Sequence, residues 1–111
     1  MVHRYPWQRD LSRILSALRR RYRPERVILF GSAAWGGSKE VHDLDLVVVK
    51  TTRASHAKRS ATVYDIVGDI SRTYPVDILV YTPKELQQRL ACGDSFIRRI
   101  LSDGKVLYAA A

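Results

Sequence analysis

Two aspartates, Asp43 and Asp45, stand at the head of an apolar run that continues Leu46-Val47-Val48-Val49, and a strand there sends both carboxylates to one face. At a rise of about 3.3 Å per residue their Cα atoms lie about 6.5–7 Å apart, close enough to share divalent cations about 3.5–4 Å from one another. Upstream, the apolar stretch Val27 to Phe30 breaks at Gly31-Ser32 and continues Ala33-Ala34-Trp35-Gly36. This is the pattern of a buried strand emptying into a tight turn and then a helix. The free N–H groups of such a turn favour anions. The two segments therefore join a backbone able to hold phosphate to carboxylates able to hold metal.

The remaining sequence supplies a frame for these residues. Leu11, Ile14, Leu15 and Leu18 recur at helical spacing, so residues 7–22 read as an amphipathic helix whose other face carries Arg9, Arg13, Arg19 and Arg20, with Pro24 ending it. Val27 to Phe30 reads as the first strand, Ser32 to Trp35 as a short helical turn, Gly36 to Glu40 as a loop, and Asp43 to Val49 as the second strand. Residues 55–73 place Val63, Ile66, Val67 and Ile70 on one helical face, with Lys58, Arg59 and Arg72 outside. Pro75 introduces a third strand, Val76 to Tyr81. Thr82-Pro83-Lys84-Glu85 has the form of an N-cap, a first-position proline and a capping box, opening a helix over 83–91. Asp94 or Ser95 caps a further short helix through Phe96, Ile97, Ile100 and Leu101, Gly104 stops it, and Lys105 to Tyr108 add an edge strand. The expected architecture is α/β (α+β): one domain over 1–111, with a small mixed β-sheet packed with helices.

Nineteen Lys and Arg against eleven Asp and Glu give a net charge of +8, which suits a nucleotide, a nucleic acid or another acidic partner. Aromatic residues are not interleaved with the arginines as a base-stacking surface requires, so nucleic acid is the less favoured of these. A single cysteine, Cys92, excludes an internal disulfide and reads as a small packing residue. With no signal-peptide pattern or spanning apolar stretch, the expectation is a cytoplasmic protein without a membrane partner. His3 and His56 have no ligand spacing to partners and read as surface residues. The sequence leaves any homo-oligomer open.

Gly31, Ser32, Gly36, Asp43, Asp45 and Leu46 resemble the signature of the DNA polymerase β-like nucleotidyltransferase superfamily: Gly-Ser, a gap, then Asp-x-Asp in a strand. The short chain and its end, Asp103-Gly104-Lys105-Val106-Leu107-Tyr108, look most like the minimal nucleotidyltransferases (MNT), which in prokaryotes are often paired with HEPN-domain partners as toxin–antitoxin modules. The specific part of the resemblance is residues 29–49. Members commonly carry Arg just before the second glycine and Ser just before the first Asp, where this chain has Trp35 and His42.

The resemblance implies the nucleotidyltransferase fold and, on the strand after Asp-x-Asp, a third carboxylate. Asp77 is the only acid there, and lying between Val76 and Ile78 it needs something to offset its desolvation. Two Mg²⁺ ions suit such a set: hard cations bound by a few carboxylates, phosphate oxygens and water. Asp43, Asp45 and Asp77 would hold one near the acceptor hydroxyl, and Asp43 and Asp45 a second near the leaving pyrophosphate, with Asp77 also able to act as general base. Gly31 and Ser32 would hold the β- and γ-phosphates of ATP. The implied activity is transfer of AMP to a tyrosine hydroxyl of a HEPN-type toxin, making the chain its antitoxin. The alternative is a weak or inactive module that neutralises its partner by occlusion. Lys39 reads as a solvated lysine, with a reach to the triphosphate as its alternative. Trp35 reads as an aromatic packed beside the turn, with stacking on a nucleobase as its alternative, and His42 as a surface loop residue, with pointing into the site to tune Asp43 as its alternative.

Overall fold

The computed structural model describes residues 5–35, 41–70 and 73–110. The expected loop from Gly36 to Glu40, with Lys39, and also His3 and Arg72 lie outside the described residues. In chain order the elements are α1 (Pro6–Arg21), β1 (Arg26–Phe30), α2 (Ser32–Trp35), β2 (Leu44–Val49), α3 (His56–Val67), β3 (Val76–Tyr81), α4 (Pro83–Ala91), α5 (Ser95–Asp103) and β4 (Lys105–Ala109).

Local chemistry fixes the ends of these elements. Pro6 opens α1, and the Tyr5 amide donates to the Gln8 side chain at 3.0 Å. Ser55 caps α3 by accepting from the Lys58 amide. In α4 the Thr82 hydroxyl accepts from the Glu85 amide at 3.1 Å while the Glu85 carboxylate accepts from the Thr82 amide at 2.8 Å, completing the capping box. Asp94 caps α5 through the Phe96 and Ile97 amides. Helix α3 stops at Val67, earlier than its apolar spacing suggested, because Gly68 follows directly.

The sheet runs β3-β2-β1-β4. Strands β1 and β2 are antiparallel, as are β1 and β4, whereas β2 and β3 are parallel with α3 as their crossover. Alternation along the strands divides the interior in two. Val27, Leu29, Leu44, Leu46, Val48, Ile78 and Val80 pack with α1 and α3; Ile28, Phe30, Val47, Val49 and Tyr81 pack with Leu86 of α4 and Ile97 and Ile100 of α5. Each fully buried side chain of this kind contributes about 1.5–3 kcal/mol, so both layers are needed to hold the strands in register. Among the described residues no helix is long and apolar enough to cross a membrane.

One residue expected outside is inside. Arg59 of α3 is 7% exposed. Its guanidinium donates to the Ala54 carbonyl at 2.8 Å and to Glu85 at 2.7 Å, so the charge is neutralised and hydrogen-bonded where the spacing alone put it in water. Cys92, expected to pack, is exposed at the end of α4.

Candidate active site

Asp45 and Asp77 are direct partners across the parallel β2–β3 ladder, and Phe30 is the antiparallel partner of Asp45 on the other side. Alternation therefore sends both carboxylates to the face shared with Phe30, at the end of the strands where β1 runs out into Gly31. Asp45 is half-buried, Asp77 exposed. Burial raises the Asp45 pKa first; the charges of Asp77 and Asp43 and a carboxyl–carboxyl hydrogen bond with Asp77 raise it further, to about 6.

The turn meets this pair directly. Gly31 has φ +74, and a Cβ there would overlap the Asp45 carboxyl. Glycine is required twice, for the backbone conformation and for the room. The Gly31 carbonyl accepts from the Ala34 and Trp35 amides at 3.0 and 3.1 Å, winding α2 immediately after the turn. Ser32 opens α2 and is exposed, next in sequence to the glycine that meets Asp45.

Asp43 differs from its expected position. Strand β2 begins at Leu44, one residue later than the sequence pattern indicated, so Asp43 is an exposed residue on the approach to the strand. It still acts on Asp45 through its charge. Among the described residues no group of three His, Cys, Asp or Glu side chains is placed to hold a metal ion. The donor chemistry nevertheless fits a hard divalent cation, because Asp45 and Asp77 stand side by side in register and a cation relieves the repulsion of their carboxylates.

The far end of β3 is built differently. Four residues on from Asp77, about 13 Å along the strand, Tyr81 leads into α4. There Glu85 accepts from Arg59 and lies 3.8 Å from the His56 ring nitrogen. Burial works against the Glu85 charge, but hydrogen bonds from Arg59 and the Thr82 amide and the charges of Arg59 and His56 outweigh it, holding its pKa below the usual value. A cavity of about 550 Å³ opens beside Glu85, Arg89 and Tyr81 at this end, away from the aspartates.

Sequence reasoning missed the contribution of α5. Phe96, expected on its apolar face, is 50% exposed and meets Phe30 edge-on; the Arg99 guanidinium lies over the Trp35 ring. The i, i+3 spacing of Phe96 and Arg99 was the available signal, but nothing in the sequence says that α5 docks beside α2.

Residues 12–111 match the family Polymerase beta, Nucleotidyltransferase. Among solved structures the chain is similar to a protein from Sulfolobus solfataricus assigned provisionally as a nucleotidyltransferase, with a TM-score of 0.60 and 19% identity over 91% of this chain and 78% of that one. At that identity the likeness bears on the fold. No curated protein matches the sequence.

Proposed function

The chain belongs to the polymerase β nucleotidyltransferase family, and we propose that it transfers AMP from ATP to a tyrosine hydroxyl of a HEPN-type toxin, serving as the antitoxin of that pair in the cytoplasm. The observation that carries this reading is the register pairing of Asp45 with Asp77 at the strand end where a Cβ on Gly31 would overlap the Asp45 carboxyl. Asp45 is half-buried beside like charges, which costs folding energy unless it is used, and the amides at the start of α2 favour an anion beside it.

In this reading the Gly31 backbone and the Ser32 hydroxyl hold the β- and γ-phosphates. Asp43, Asp45 and Asp77 hold Mg²⁺, which when bound supplies charge neutralisation at the phosphates and acidifies the acceptor hydroxyl. Asp77, the exposed member of the pair, faces the acceptor and takes its proton as the hydroxyl oxygen attacks the α-phosphorus and pyrophosphate leaves. Asp45, less accessible, orients Asp77 through their shared contact. The net charge of +8 draws ATP and an acidic partner surface toward the domain.

The test is incubation with labelled ATP, Mg²⁺ and a candidate HEPN partner. Label on the partner with wild type, and none with an Asp43→Asn, Asp45→Asn double variant, is expected. Equal label with both rejects the assignment, and a double variant that still neutralises the toxin in cells as well as wild type shows occlusion instead.

A further inference from the structure

The acid pair shares its face of the sheet with an aromatic ledge. Phe30, opposite Asp45 in register, is met edge-on by Phe96 of α5 with ring centroids 5.6 Å apart and planes at 84°. Trp35 of α2 leans on the same Phe30 at 6.3 Å and 41°. The Arg99 guanidinium, one turn beyond Phe96 on α5, covers the Trp35 ring at 4.4 Å from its centroid. Core packing accounts for Phe30, which is buried, but Phe96 is 50% and Trp35 37% exposed, both rings resting on Phe30. Adjacent exposed aromatics next to a guanidinium mark a binding surface more than a packing defect.

We propose that this ledge takes the nucleobase of the donor nucleotide, an inference that rests on the nucleotidyltransferase reading of the acid pair. Trp35 and Phe96 both rest on Phe30, the register partner of Asp45, so ring surface begins beside the acid pair assigned to the α-phosphate, from which the sugar and base extend. Trp35 and Phe96 offer π-faces, on which any base stacks, and Arg99 holds Trp35 in orientation as a positioning residue. Selection is therefore by stacking area, purine over pyrimidine, with no demand on the base edge. The neighbouring phosphate corner makes the base of the same nucleotide the occupant that both features serve at once.

The experiment compares Mg²⁺-supported binding of ATP, CTP and tripolyphosphate to the full chain and to Trp35→Leu, Trp35→Phe and Phe96→Ala variants, with circular dichroism to confirm folding. In wild type ATP is expected to bind tighter than CTP and tripolyphosphate. Trp35→Leu and Phe96→Ala should each weaken ATP about 10-fold, leaving tripolyphosphate unchanged, while Trp35→Phe retains most of the affinity. ATP should quench the indole fluorescence of wild type, and this quench should vanish in Trp35→Leu, since Trp7 is buried. Equal wild-type affinity for ATP and tripolyphosphate overturns the ledge alone, as does slower labelling of a partner at unchanged ATP affinity, which makes the acceptor the occupant. Failure of wild type to bind either polyphosphate overturns the nucleotide site itself.

Discussion

Asp45 and Glu85 are both partly buried acids at the two ends of β3, and their surroundings treat them oppositely. Asp45 faces another carboxyl and has its pKa pushed up to about 6; Glu85 faces a guanidinium, an imidazole and a backbone amide and has its pKa held down. Glu85 is a satisfied acid. Through Arg59 it ties α3, which packs on one side of the sheet, to α4, which packs on the other. Asp45 is an acid left in conflict by its own fold, beside a glycine whose missing side chain makes room for its carboxyl. Unrelieved repulsion of this kind is tolerated where it is used, so charge satisfaction separates the structural end of the strand from the end proposed as the site.

The largest expected effect comes from removing the conflict. Asp77→Asn should lower nucleotidyl transfer by at least about 100-fold while the protein stays folded, measured by label transfer and by circular dichroism. Glu85→Gln in the same assay should leave transfer per folded molecule near wild type. Gly31→Ala should be destabilising by about 2–3 kcal/mol in urea unfolding, since the added methyl meets both a positive φ and the Asp45 carboxyl. Arg59→Met should cost about 2 kcal/mol in the same measurement, because it leaves Glu85 without its shortest partner and the Ala54 carbonyl without its donor.

The smallest effect concerns pH and has opposite signs at the two ends. A folded pKa raised to about 6 from 3.8 means that Asp45 contributes stability only when protonated, a contribution fully present below 3.8 and lost as pH rises through about 6. Asp45→Asn should therefore be more stable than wild type at pH 8 by about 1 kcal/mol after solvent screening, and this difference should close as pH falls below 4. Glu85 runs the other way: its contribution is present above the ordinary carboxylate range and fades on acidification through its lowered pKa. Thermal melts of wild type, Asp45→Asn and Glu85→Gln from about pH 2 to pH 8 separate the two.

Much of this arrangement was legible in the sequence because local rules governed it. The capping box at Thr82 and Glu85, the Asp94 cap, the glycine at 31 and the alternation along β2 and β3 each follow from residue type and spacing, and together they give the strands, the order of helices and the position of Asp77. What was not legible depends on which helix docks where. Arg59 looked solvent-facing because its internal partner, Glu85, is 26 residues away. Phe96 fits the apolar spacing of α5, yet α5 ends up turned so that Ile97 and Ile100 fill the core while Phe96 reaches only the rim beside Phe30. Asp43 missed the strand by one residue because Val41 and Leu44 are the buried pair that anchors the entry to β2, leaving the residues between them outside.

The most direct measurement is a titration of Mn²⁺ into the protein with a non-hydrolysable ATP analogue, with bound metal followed by electron paramagnetic resonance. Wild type and Glu85→Gln are expected to bind Mn²⁺ alike, whereas Asp45→Asn and Asp77→Asn should each bind at least about 10-fold more weakly. Equal metal binding by all four proteins would contradict the assignment of the Asp45–Asp77 end as the catalytic centre.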